Sequence, residues 1–145
     1  MRFVVTGGAG FVGSHLVRLL LENNHEVIVV DNLHTGKKEN IESVIDKIEF
    51  QKIDIRNHES MKNILKNIDG VFHQAALTVI QDSFSNPKEY HDVNVQGTEN
   101  IFKLSIENKF KVVYASSSSV YGHKQKMPIE ENMERKPINP YGQTK

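Results

Sequence analysis

Apolar residues follow two alternating rhythms along this chain. Short runs rich in β-branched residues predict strands at RFVVT (2–6), EVIVVD (26–31), IEFQKID (48–54), GVFHQAA (70–76) and KVVYASS (111–117). Between them the period lengthens. VGSHLVRLLLEN (12–23) places Val12, Leu16, Leu19 and Leu20 at helical spacing. HESMKNILKN (58–67) reads as an amphipathic helix, and DVNVQGTENIFKLSIEN (92–108) as a long one. Strands alternating with helices argue for βαβ units and a parallel sheet. Right-handed crossovers then restrict the topology to a doubly wound α/β fold. No internal repeat is visible. The segment 122–140, with Pro128, Pro137 and Pro140, reads as a loop long enough to be functional or disordered.

Composition narrows the classes. The 145 residues fit one domain with a real core, and 38% hydrophobic with 25% charged residues is ordinary for a globular chain. Eighteen basic and eighteen acidic residues cancel, so no basic field draws nucleic acid. Absence of cysteine excludes disulfides and thiolate metal sites, and fits a reducing, cytoplasmic setting. MRFVVTGG enters a strand without the features of a signal peptide, and no run of about 18 apolar residues is present to span a membrane. The seven histidines are scattered without ligand spacing, and no metal site is expected at His73 or elsewhere.

The first chemical candidate is TGGAGFVG (6–13), between the first strand and the first helix. It satisfies Gly7-x-x-Gly10-x-x-Gly13 and Gly8-x-Gly10-x-x-Gly13 at once. Glycines permit a tight turn and let backbone approach a pyrophosphate, while a helix N-terminus offers N–H groups and partial positive charge. No Gly-Lys-Ser/Thr follows, so this is not a P-loop. Asp31 ends the second strand, 18 residues after Gly13. A carboxylate there accepts from both ribose hydroxyls of an adenosine and repels a 2′-phosphate, favouring NAD over NADP. Asp54 ends the third strand; it reads either as a capping residue or, with Ile55, as a wall beside the adenine ring.

The second candidate is NPYGQTK (139–145). Asn139 is a good N-cap, and a following proline favours the extended backbone an N-cap needs. Pro140 suits the first helical position. A helix starting there carries Tyr141 and Lys145, four residues apart, on one face. An ammonium beside a phenol lowers its pKa from the usual value of about 10 and makes it a usable general base.

TGGAGFVG, Asp31, DI (54–55), HQAAL (73–77), NVQGT (94–98), YASSSSVYG (114–122) and PYGQTK (140–145) occur in an order that resembles the extended short-chain dehydrogenase/reductases. More narrowly, they resemble the NAD-dependent epimerase/dehydratase family, and nucleotide-sugar 4-epimerases within it. That resemblance implies a Rossmann-type domain at 1–145 with bound NAD. It puts Phe11, Val12 and Asn32 with Gly7, Gly10, Gly13, Asp31, Asp54 and Ile55 in the cofactor site. Ala75 and Ala76 would let backbone near the ribose, and Asn94 would steady the central helix on the nicotinamide side. Tyr141 and Lys145 would serve both cofactor and catalysis.

It implies further that Ser117, four residues before Tyr121, holds the sugar C4 hydroxyl and shares its proton with Tyr141. Ser118 and Ser119 stand where the family's 4,6-dehydratases carry Asp and Glu. Thr78 stands where hexose-specific 4-epimerases often carry lysine, and its absence is nearer to members acting on N-acetylated or several sugars. The implied activity is 4-epimerisation of a UDP-sugar (glucose/galactose or their N-acetyl forms) by transient C4 oxidation. A decarboxylase, dehydratase or reductase, or a non-catalytic NAD-binding domain, are the alternatives. Family members run to about twice this length. The chain is therefore expected to be an N-terminal piece, lacking the C-terminal strands and substrate domain, inactive alone, and derived from a homodimeric parent.

Overall fold

The computed structural model describes residues 1–123 and 127–145. Lys124–Lys126, within the predicted loop, lie outside the described residues. The chain forms two compact units, residues 1–75 with 97–115, and residues 76–96 with 116–145.

The first unit is a five-stranded parallel sheet: β1 (Arg2–Thr6), β2 (Glu26–Val30), β3 (Glu49–Gln51), β4 (Gly70–His73) and β5 (Lys111–Tyr114), in the order β3-β2-β1-β4-β5. This is the doubly wound order expected when each crossover is right-handed and the second half starts beside β1. Val4, Val5, Val29 and Val30 are fully buried, the pattern of central parallel strands covered on both faces. Three helices belong to this unit: α1 (Phe11–Glu22), α2 (His58–Ile64) and α5 (Thr98–Asn108).

Two expectations shift. The buried stripe of α1 is Gly13, Ser14, Val17 and Leu20, whereas Val12 and Leu19 are exposed. Small residues bring the helix close to the sheet, a contact that a count of large apolar residues does not register. The predicted strands also end early. β3 pairs only Glu49–Gln51 with Ile28–Val30, and β4 and β5 stop at His73 and Tyr114. Residues beyond these ends become loops at the carboxyl edge of the sheet, where open α/β sheets bind ligands.

The second unit contains α3 (Ile80–Ser85), α4 (Pro87–His91), most of a π-helical turn at Asp92–Gly97, a 3₁₀ turn at Ser118–Tyr121, and α6 (Pro140–Gln143). The sequence reading assigned nothing to 78–91, and the predicted long helix begins only at Thr98. Tyr90 is buried in this unit, donates to the Val79 carbonyl at 2.7 Å, and has its phenol pKa raised by burial. α3 and α4 pack against α6. Among the described residues, no helix is long and apolar enough to cross a membrane.

Candidate functional site

The glycine turn is built by backbone contact. Gly7 follows β1, donates to the Val30 carbonyl at 2.8 Å and adopts φ +67°. A methyl group on Gly7 would lie 2.7 Å from the Ala75 nitrogen, and one on Gly13 would collide with the Gly7 carbonyl. The fold itself therefore requires both glycines. Gly10 differs: at φ −77°, ψ 177° its backbone suits any residue, and a methyl there would meet only the Gly7 carbonyl, at 3.1 Å. Packing constrains Gly10 through that one contact, less severely than Gly7 or Gly13, and Gly10 lies at the start of α1. No side chain caps that helix, and Phe11 and Val12 in its first turn are exposed. An uncapped helix N-terminus behind a glycine fits a dinucleotide pyrophosphate.

Asp31 is 7% exposed, and its carboxylate is already in use. Oδ2 accepts from the Ala9 N–H at 3.0 Å and Oδ1 from the Leu33 N–H at 2.8 Å. Gly36 lies against it, where a methyl group would come within 2.8 Å of both oxygens. A carboxylate offers about four lone-pair positions, so acceptor capacity for ribose hydroxyls remains. The Leu33 bond helps hold that residue at φ +61°, a left-handed conformation that costs a non-glycine residue about 1–2 kcal/mol.

Asp54 holds the turn after β3. Arg56 donates Nε to Oδ1 at 2.9 Å and Nη2 to Oδ2 at 2.7 Å, its backbone N–H adds a bond at 2.9 Å, and Asn32 Nδ2 reaches Oδ2 at 3.0 Å. The Arg56 side chain is the main cause that draws the Asp54 pKa down to about 2. The capping role is thus fulfilled, and Asn32 is joined to Asp54. Ile55 is buried under Gly97, where a methyl group would lie 2.6 Å from Ile55 Cδ1.

Ala75 packs on Gly7 and donates to Thr6 Oγ1 at 3.3 Å. The same hydroxyl bonds His73 Nδ1 at 2.6 Å, and His73 Nε2 bonds Thr98 Oγ1 at 2.9 Å. His73 is 1% exposed and joins the ends of β1 and β4 to the start of α5.

The remaining candidates gather in the second unit. Asn139 caps α6, accepting from the Gly142 N–H at 2.7 Å, with Pro140 at the first position. Tyr141 is 9% exposed, and its N–H donates to Ser83 Oγ at 3.1 Å. The α-helical turn closes before Lys145, which corrects the expectation of one helix carrying both residues. Thr144 caps the turn, and Lys145 N–H reaches back three residues to the Gly142 carbonyl at 3.4 Å. Short helix ends commonly tighten this way. Burial lowers the Lys145 pKa to about 8.

Ser117 caps the 3₁₀ turn by accepting from the Ser119 N–H at 3.2 Å. Ser116 Oγ donates to the Lys145 carbonyl at 3.2 Å, and Gly142 lies against the Ser119 carbonyl. The serine run and α6 are thereby packed together. Asn94 is 2% exposed and binds Leu77, just after Ala76, through both ends of its amide: Oδ1 accepts at 2.8 Å and Nδ2 donates at 2.9 Å. Nδ2 also reaches Thr144 Oγ1 at 3.0 Å. Asn94 therefore holds the loop after Ala76 to α6. Sequence reasoning assigned no role to Ser83, or to Thr6, Thr98 and Thr144 inside the motifs it singled out, because each hydroxyl has a partner distant in sequence: Tyr141, His73, His73 and Asn94 respectively.

The chain is similar to several known proteins. A family model described as "NAD dependent epimerase/dehydratase family" matches residues 3–145. A UDP-glucose 4-epimerase of Halalkalibacterium halodurans is 38% identical over all of this chain and 43% of its own length. The solved UDP-N-acetylglucosamine 4-epimerase of Methanobrevibacter ruminantium, in complex with UDP-N-acetylmuramic acid, is 36% identical with a TM-score of 0.93, over 99% of this chain and 46% of that one. DesIV of Streptomyces venezuelae, a dTDP-glucose 4,6-dehydratase solved with NAD, is 32% identical with a TM-score of 0.93, over 99% of this chain and 48% of that one. The chain spans about half the length of the relatives it matches.

Proposed function

The chain belongs to the NAD dependent epimerase/dehydratase family, and from that premise we propose that its protein is a nucleotide-sugar 4-epimerase acting on UDP-glucose and UDP-galactose or their N-acetyl forms. Residues 1–145 would be its NAD-binding domain, within a cytoplasmic homodimer that binds neither nucleic acid nor membrane. The observation that carries the reading is the serine run packed on a capped turn bearing Tyr141, with Lys145 desolvated beside it.

The glycine turn and the N-terminus of α1 would receive the pyrophosphate, aided by Phe11 and Val12. Asp31 would accept from the adenosine ribose, with Asn32, Asp54 and Ile55 on the adenine side and Ala75 and Ala76 near the second ribose. Bound NAD would supply the hydride acceptor and donor at sugar C4. Tyr141 would take the C4 hydroxyl proton and later return it. Ser117 keeps its own proton for that hydroxyl, because the Ser119 N–H uses only a lone pair. Lys145, with a pKa of about 8, is still mostly cationic at neutral pH and would favour the phenolate of Tyr141. Asn94 would hold α6 and the loop after Ala76 in register.

A 4,6-dehydratase is the second reading, favoured by the equal structural similarity of DesIV. The serines at 118 and 119 oppose it, since neither can act as the carboxylic acid or base that water elimination uses. Incubating the full-length protein with NAD and UDP-glucose, UDP-N-acetylglucosamine or dTDP-glucose decides between them. Formation of the C4 epimer supports the proposal. A 4-keto-6-deoxy product supports the dehydratase. NAD binding with no turnover of any of the three supports a non-catalytic domain.

A further inference from the structure

We propose that Asn40 is a positioning residue for the dinucleotide turn, acting as the second jaw of a clamp whose first jaw is Asp31. The proposal rests on the reading of that turn as an NAD site. Its basis is the bonding of Ala9, a fully buried residue between Gly8 and Gly10. Asp31 Oδ2 takes the Ala9 N–H at 3.0 Å. On the other side, the Ala9 carbonyl accepts from Asn40 Nδ2 at 2.8 Å and from the Lys37 N–H at 3.0 Å. Every backbone polar group of Ala9 is therefore bonded to the segment 31–40.

Asn40 is itself fixed. Its carbonyl accepts from Arg18 Nη2, while Arg18 Nη1 donates to the Ser14 carbonyl on α1 at 3.2 Å. The next residue, Ile41, is fully buried in the cluster containing Val5, Val17 and Val29. The Asn40 backbone is thus held from α1 on one side and by its neighbour Ile41 in the core on the other.

The consequence is preorganisation. Gly10 has an ordinary φ and is held by backbone bonds to Gly7 and Ser14, and its neighbour Ala9 is held from the segment 31–40. With Asn40 in place, the Ala9 carbonyl is turned into the protein and away from an incoming pyrophosphate, and the first-turn N–H groups of α1 stay directed outward. Ligand binding then requires little ordering of this loop. Without Asn40 the Ala9 carbonyl would keep only the Lys37 N–H, at 3.0 Å, and would lose its side-chain partner.

The test uses Asn40→Asp, which keeps the shape but replaces the donor with an acceptor, and Asn40→Ala, which vacates the place. NAD affinity is measured by calorimetry and backbone amide exchange by NMR on the same samples. NAD should bind about tenfold more weakly to N40D and about threefold more weakly to N40A, because water can partly replace the lost donor. Exchange should accelerate at Ala9 and Lys37, with the amides of the β4–β5 ladder unchanged. NAD affinity within twofold of the parent in both variants would overturn the clamp. So would exchange that accelerates equally in the β4–β5 ladder, which marks a general structural role. If the parent chain binds no NAD, the functional reading fails, and the exchange comparison at Ala9 still decides the clamp.

Discussion

The glycine turn and the Ser117–Tyr141–Lys145 assembly are fixed by different kinds of contact. At the turn, backbone meets backbone. Gly7 abuts Ala75, Gly13 abuts Gly7, and no side chain can be inserted at either position. The second assembly stands on a single helical turn, held by the side chains of Asn139, Ser83, Asn94 and Thr144. Steric closure of the first kind tolerates almost no substitution at its contact points. Hydrogen bonds of the second kind are worth about 1 kcal/mol each and can be removed one at a time. One region is built to be rigid; the other is built from parts that can be adjusted without dismantling the sheet.

On the proposed function, the sharpest division between the two is chemical. Tyr141→Phe in the full-length protein should lower kcat by about 10²–10⁴-fold while leaving NAD affinity within about threefold. Equal losses in both would erase the distinction between a binding region and a reacting one. Next in size is the steric contrast inside the turn. Gly13→Ala should cost about 3 kcal/mol in denaturant unfolding, through overpacking against backbone. Gly10→Ala meets a single contact at 3.1 Å and should cost about 1 kcal/mol, yet weaken NAD binding if the proposed pyrophosphate site lies at the start of α1. If the two alanines destabilise equally, Gly10 is structural after all.

Asn139→Ala should cost about 1 kcal/mol as a lost N-cap. Faster amide exchange at Gly142, with none at Val4 or Val29, would show the loss confined to the second unit. The smallest expected effects are in pH dependence, where both groups give stability that rises with pH, in two separate windows. Asp54 titrates near 2 when folded against 3.8 as a free group. Its contribution is complete above about pH 4 and is lost as pH falls through 2. Lys145 titrates near 8 when folded against 10.5 free. Between those values the unfolded chain binds the extra proton, so stability rises with pH from 8 to 10.5. Thermal midpoints across the two windows, with Asp54→Asn and Lys145→Met as controls, should show both slopes vanish in the matching variant. Partial exposure of Asp54 makes its slope the shallower of the two.

Two occurrences of one dipeptide show how far local signals reach. Asn139-Pro140 was legible as a helix start, and Asn139 caps α6. Asn86-Pro87 carries the same signal, and Pro87 does open α4, yet Asn86 does not cap it. Asn86 closes α3 at the same time, donating its N–H to the Asp82 carbonyl and its amide to the Asp82 carboxylate at 2.8 Å. That double duty holds its backbone at φ −125°, ψ 47°, away from the extended form a cap needs. The dipeptide marks a boundary; the neighbouring element decides what the side chain does there.

Taken alone, the sequence determined the alternation of strand and helix, the parallel sheet, and the positions of the glycine turn, Asp31 and the α6 cap. These follow from side-chain period, glycine sterics and proline geometry, all properties of residues close together in the chain. Tertiary structure decided which face of α1 is buried and where β3, β4 and β5 end. It also decided that Asp31 and Asn40 share Ala9, that Thr6 and Thr98 bracket His73, and that Asn94 holds Leu77 to Thr144. In each case the partner of a polar group lies far away in sequence. A buried hydrogen-bonding group must find some partner, but only the folded chain sets which one is within reach.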